Sequence, residues 1–320
     1  MKSKATRASL MSIVVVLLLI PFSSPAMGAA KGAYLYNLSN FTGPIPGSWV
    51  EVTVDSANNE VYVADPSERL VRIFNESGME IYSFGDDGAL GDIYDVAVTG
   101  NGDILVLSYT PTEAGRKYSI IRCNFRGDPV STIEIRDLPS QFSKFSPGRI
   151  FCKEDQLYLV DKEAMFVAVV GSDGLFKQGY DIAGLLGFDE KKRSDTGIVG
   201  FSVDNKGNML FTIPVIFTAY RLSPDGKTQS FGRPGSAPGR FNIVGGIVSD
   251  DRGYIYVTDK LRGVVMVFDK DFQFQTEFGY WGWRPGNLIS PMDLAVDNKG
   301  RVYVSQSARR GVSVFQVKID

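Results

Sequence analysis

Met292-Asp293-Leu294-Ala295-Val296-Asp297-Asn298-Lys299-Gly300-Arg301-Val302-Tyr303-Val304 joins an apolar run to a second run around a tyrosine through an Asp-Asn-Lys-Gly turn. Apolar runs of strand length separated by a Gly-bearing turn are a hairpin signature. The phrase returns in Phe201-Ser202-Val203-Asp204-Asn205-Lys206-Gly207-Asn208-Met209-Leu210-Phe211. Anchoring on the middle of the second run gives Tyr62, Leu105, Tyr158, Leu210, Tyr256 and Tyr303, at spacings of 43, 53, 52, 46 and 47 residues. Periods of this size mark a repeat architecture in which each unit buries its faces against its neighbours.

Each unit holds about four short β runs; in the fifth they are residues 246–248, 254–258, 264–268 and 273–278, with Asp250-Asp251-Arg252-Gly253 and Asp269-Lys270-Asp271 as turns. No helical period separates the units, which disfavours βαβ alternation and predicts an all-β, six-bladed β-propeller of four-stranded antiparallel blades. The sixth unit runs out after its third strand, residues 311–317. The orphan run at residues 33–38 is suited to be the missing outer strand, so an N-terminal strand is expected to close the ring.

Residues 259–268 followed by Phe278-Gly279 and Pro291, and residues 65–74 followed by Phe84-Gly85, resemble NHL repeats, most strongly in units 1, 5 and 6. The diagnostic Asn and His of that family's name are absent. The resemblance, over roughly residues 33–320, implies the propeller fold and a platform that binds ligand, protein or RNA.

Residues 1–30 read as a secretory signal peptide: Lys2, Lys4 and Arg7 precede an apolar run over residues 10–22, and small Ala26, Gly28 and Ala30 follow. The run is too short for the roughly 20 residues of a spanning helix, so an exported chain, periplasmic or extracellular, with no stable membrane span after cleavage is expected. Residues 31–320 are then a single propeller domain, with 31 basic and 36 acidic side chains and a net charge of −5. With no basic run beyond Lys191-Lys192-Arg193 and Arg309-Arg310, nucleic acid is not an expected partner.

The chain contains no histidine. That removes most general-base, triad and zinc hypotheses, and with them a resemblance to propeller enzymes that rely on histidine, such as the peptidyl amidating and streptogramin lyases. No nucleophile elbow or phosphate-binding loop is present either. The Asp-x-x-Gly phrases at Asp204, Asp250 and Asp297, and Asp225-Gly226, are hairpin turns rather than calcium loops. Cys123 and Cys152 read as small core residues on a third and an innermost strand, which does not suit a disulfide.

Two regions remain. Aligning the innermost strands places Glu51, Asp95, Arg149, Gly200, Gly245 and Asp293 at one level of the ring. Three carboxylates there repel unless a cation, a shared proton or Arg149 compensates; they are either a central funnel site or acceptors for neighbouring backbone amides, and compensation by Arg149 is the expected outcome. The second region is the loop face. Tyr280-Trp281-Gly282-Trp283-Arg284 concentrates aromatics and an Arg where turn chemistry needs neither, and Ile213-Pro214-Val215-Ile216-Phe217 is apolar where other units have polar turns. These side chains either plug the gap between blades or contact a partner. The charged stretch at residues 189–195 reads as a solvated loop.

The sequence therefore predicts a non-catalytic binding or scaffolding propeller that engages a protein or envelope partner, with Trp281, Trp283, Arg284, Ile213, Val215, Ile216 and Phe217 as candidate contacts. The alternative is a metal-dependent lactonase or esterase resembling the gluconolactonase-like propellers, using a calcium ion (Ca2+) at Glu51, Asp95 and Asp293. No Asn falls in the aligned ring for that role. No cofactor is expected on the leading reading.

Overall fold

The computed structural model describes residues 31–113 and 115–319. The signal peptide expected over residues 1–30 lies outside the described residues. Six four-stranded antiparallel sheets form the blades of a propeller. Blade 1 comprises Glu51–Asp55, Glu60–Asp65, Leu70–Phe74 and Glu80–Phe84, from the axis outward. Blade 5 comprises Val244–Ser249, Ile255–Asp259, Val264–Phe268 and Phe274–Gly279, each within two residues of its predicted run.

The quoted repeat folds as it does because its Asp and its tyrosine meet. Asp297 Oδ1 accepts the amides of Lys299 and Arg301 at 2.9 and 2.8 Å, which shapes the turn. Its other oxygen accepts from Tyr303 Oη at 3.2 Å and Arg301 Nε at 2.6 Å. Asp250 and Tyr256 repeat the arrangement at 3.2 Å. The carboxylate thus satisfies both the turn's amides and a fully buried phenol, which explains why the phrase keeps both residues. The Asp-x-x-Gly phrases are hairpin turns here, with Asp204 accepting from the amides of Lys206 and Asn208.

Apolar residues of adjacent blades form the core. Tyr256, Val265 and Val267 of blade 5, for example, pack with Leu294, Val302, Val304 and Phe315 of blade 6. Blade 6 consists of Pro291–Val296, Arg301–Gln306 and Val312–Lys318 with Lys31–Asn37 as its outer strand. Lys31 faces Lys318 and Asn37 faces Ser313 in antiparallel register. Fully buried Leu38, held by a bond from its amide to the Val312 carbonyl at 2.9 Å, seals the seam against blade 1.

Two departures from expectation occur. Between blades 3 and 4 the chain forms short helices, Ile182–Leu185 and Glu190–Ser194, where residues 189–195 read as loop. Asp181 and Asp189 cap them through the amides of Gly184 and Lys192, and Arg193 ties back to Asp181 at 2.8 Å. Ile213 is not a face residue: it ends a buried strand, fully enclosed, and Ile216 packs partly against the same core.

Candidate functional site

The innermost strands enter the ring at one end of the axis, on the face that also carries the turns between second and third strands. At that entry Arg149, from blade 3, gathers the predicted carboxylates. Its Nη1 and Nη2 donate to Asp293 Oδ2 and Oδ1 at 2.9 and 3.1 Å, Nη1 also contacts Glu51, and Nε lies 3.4 Å from Asp95 Oδ2. Lys162, from the turn of blade 3, donates to the other Glu51 oxygen at 2.9 Å. The repeat alignment did not include Lys162. Its signal was the Asp-Lys pair at Asp161-Lys162, which matches Asp259-Lys260 in blade 5.

Two of the carboxylates also hold the ring's backbone. Asp293 accepts the Val52 amide of blade 1 at 2.9 Å, and Asp95 accepts the Ile150 amide of blade 3 at 2.9 Å and its neighbour Val96 at 2.8 Å. Across the axis the aligned positions are glycines because blades 4, 5 and 6 crowd together. A Cβ on Gly200 would stand 2.4 Å from the Gly245 carbonyl oxygen and 2.7 Å from Gly246 Cα. One side of the ring is therefore closed by backbone contact and the other by ions.

Charge is distributed unequally in this cluster. Burial opposes ionisation of Glu51, but Arg149 and Lys162 overcome it and hold the carboxyl at about 2. Burial pushes Asp95 up to about 6 and Asp293 up to about 7, against the pull of Arg149. Raised carboxyls in that range suit general acid catalysis, yet Asp95 and Asp293 are buried and turned onto Arg149 and main-chain amides. Nor does the donor set suit a divalent ion, since both Glu51 oxygens are taken by cationic groups and Arg149 occupies the convergence point.

The ion cluster divides the axis. Toward the far end lies a cavity of about 220 Å³, lined by Thr53, Phe151, Cys152, Ser202 and Val296 with Arg149 at its boundary. Toward the loop face Glu51 and Lys162 form part of a groove of about 330 Å³ with Tyr94, Tyr118 and Arg116. Arg116 donates to Tyr94 Oη at 2.8 Å and lies 4.8 Å from the centre of the Tyr109 ring. Sequence reasoning missed this wall, because it comes from the extended hairpin Ile104–Thr112 and Gly115–Cys123 that the other blades lack. Cys123 and Cys152 are free thiols, each pushed up to about 11 by burial, in the blade core and beside the axial cavity.

The loop-face candidates separate by exposure. Trp281 and Trp283 are 63% and 60% exposed, and Arg284 is exposed with them. Val215 and Phe217 are exposed too, whereas Ile213 belongs to the core and Ile216 is half-buried against it. Arg310 donates to the Trp283 carbonyl at 3.0 Å, with its guanidinium 5.5 Å from the indole centre. Trp49, unmarked by the sequence reading, is 62% exposed beside the same loops, next to Ser48, which accepts from the Arg309 amide.

No protein-family model matches the sequence, and no curated protein matches it. Solved structures do match. A streptogramin B lyase superposes with a TM-score of 0.58 at 14% identity over 90% of this chain and 98% of its own. A gluconolactonase from Xanthomonas campestris gives 0.59 at 14% identity over 91% of each chain. A catalytically inactive histidine-to-alanine variant of virginiamycin B lyase from Staphylococcus aureus, with quinupristin, gives 0.53 at 14% identity over 86% of this chain and 83% of that one. At this identity the likeness concerns the fold.

Proposed function

We propose that the chain is an exported, NHL-type propeller that binds a partner in the cell envelope through its loop face and has no catalytic chemistry of its own. The observation that carries the reading is the exposure of Trp281 and Trp283, at 63% and 60%. Rings that plugged the gap between blades would be buried as Phe278 and Phe315 are, and protruding Trp beside Arg is the composition of an interface anchor.

Two further points support a binder over an enzyme. In the virginiamycin B lyase neighbour, replacing one histidine gives a catalytically inactive protein, and this chain has no histidine. The gluconolactonase neighbour prompts a metal-dependent alternative, but the carboxylates here are consumed by Arg149, Lys162 and backbone amides. The test is capture from solubilised envelope by immobilised protein, comparing wild type with Trp281→Ala/Trp283→Ala. A partner held by wild type and lost by a variant with an unchanged circular dichroism spectrum is the expected result. A variant that unfolds, or that captures as wild type does, defeats the reading.

A further inference from the structure

The six loops and turns that crown blades 4, 5 and 6 and lead into blade 1 are residues 214–217, 232–243, 260–263, 280–290, 307–311 and 38–50. They contain no Asp or Glu. They carry Arg233, Arg240, Arg284, Arg309 and Arg310, none of which forms an ion pair among the described residues, besides Arg262, which pairs with Glu277, and Lys260, whose side chain turns inward over Gly245 at the axis. The equivalent connections of the other three blades hold ten carboxylates. A chain of net negative charge thus presents a loop face with one half basic and free of acids.

The same half carries the exposed apolar side chains. Ile243, Leu261, Tyr280, Trp281, Trp283 and Trp49 are all more than 40% exposed. They stand on loops that touch one another. The Lys260 amide donates to the Ile243 carbonyl at 2.8 Å, the Trp281 main chain packs against Gly263, Arg310 holds the Trp283 carbonyl, and the Arg309 amide donates to Ser48. The basic and apolar groups therefore form one continuous patch.

Resting on the binding reading above, we infer that this half-face docks onto an anionic lipid surface, with the indoles at the headgroup level and the arginines on lipid phosphates. Trp and Tyr favour that boundary, and each basic residue near an anionic leaflet adds to the attraction. A second copy of the chain fits less well. Its acid-bearing half-face offers only Leu185 among exposed large apolar side chains, too little to cover three indoles. Nucleic acid would satisfy the arginines and stack on the rings, but Ile243, Leu261 and Val215 have no π-face to give it.

The chain has three tryptophans, Trp49, Trp281 and Trp283, and all lie in this patch, so intrinsic fluorescence reports on it directly. The full chain is titrated with phosphatidylcholine vesicles, with vesicles containing phosphatidylglycerol, and with a single-stranded DNA oligomer. Emission should shift to the blue with the anionic vesicles, be quenched by brominated acyl chains and revert in high salt. Arg233→Glu/Arg284→Glu/Arg309→Glu, whose side chains make no bond among the described residues, should weaken anionic-vesicle binding roughly a hundredfold.

Sedimentation with vesicles without a tryptophan shift would mean attachment elsewhere on the chain and would overturn the inference. So would a shift with DNA alone, or a concentration-dependent shift without vesicles, which indicates self-association. An unresponsive but folded protein sinks the lipid assignment and leaves the binding reading standing. Unfolding of the Trp281→Ala/Trp283→Ala variant sinks both.

Discussion

Replacing Arg149 with methionine removes the one group that the buried carboxylates share. Its guanidinium holds Asp293 at 2.9 and 3.1 Å, approaches Asp95 at 3.4 Å and contacts Glu51, with side-chain exposures of 7, 9, 1 and 18% for Arg149, Asp293, Asp95 and Glu51. A contact of this kind at ~4 Å is worth about 4 kcal/mol at an effective dielectric near 20. Proton uptake by the abandoned acids recovers part of that, so the net loss at neutral pH should be about 3–5 kcal/mol, as for other buried pairs deprived of one partner.

The loss should depend on pH in a definite direction. Asp95 and Asp293 have folded values of about 6 and about 7 against 3.8 unfolded, so their contribution is complete below about pH 4 and is lost as pH rises through 7. Glu51, lowered from 4.5 to about 2, contributes above pH 4.5 and loses that contribution as pH falls toward 2. In Arg149→Met a proton takes the place of the guanidinium, which makes the penalty largest above pH 7 and markedly smaller near pH 5. Urea unfolding followed by circular dichroism at pH 5 and 7.5 measures it. A penalty equal at both pH values, or a midpoint unchanged from wild type at pH 7.5, would refute the account of the cluster.

Deleting residues 31–41 should lower the melting temperature by ~10 °C or more, because it strips Leu38 and the outer edge of blade 6 from the core; an unchanged scan would refute the closure. Gly200→Ala drives a Cβ into the Gly245 carbonyl and Gly246 Cα, and should cost about 1–3 kcal/mol in denaturant titration. Calorimetry with calcium should show no stoichiometric heat; a chelator-sensitive signal lost in Asp293→Ala would reinstate the lactonase alternative.

The repeat was legible because its Asp and tyrosine do the same work in blades 5 and 6, where Asp250 with Tyr256 and Asp297 with Tyr303 are bonded pairs as well as aligned letters; in blade 1 Tyr62 donates to Glu60 instead, at 2.8 Å. The funnel cluster was legible for a related reason, since residues at one repeat position converge on the axis, and the alignment brought Glu51, Asp95, Arg149 and Asp293 together. Side chains that reach the site from elsewhere escaped. Lys162 arrives from a turn, and Tyr109, Tyr118 and Arg116 from a hairpin peculiar to blade 2. The apolar run from Ile213 to Phe217 was misleading because its composition is uniform while its geometry is not. The strand end is buried, and the chain then turns outward through a left-handed Phe217, at φ 56°. The acid-free half-face escaped because its loops are more than 200 residues apart in sequence at the extremes, and only the ring brings them side by side.

Sealing the ring with the first strand has a consequence for the order of assembly. Asn37 meets Ser313, 276 positions later, so the last seam forms only after the final strand has been made. Blades 1 to 5 are each contiguous in sequence and can form from local pairings, but an incomplete array keeps two open blade faces, one of them the Leu38 surface. A chain still being synthesised therefore stays an unsealed arc with a loose leading strand, its open blade faces exposed to aggregation until the last strand pairs.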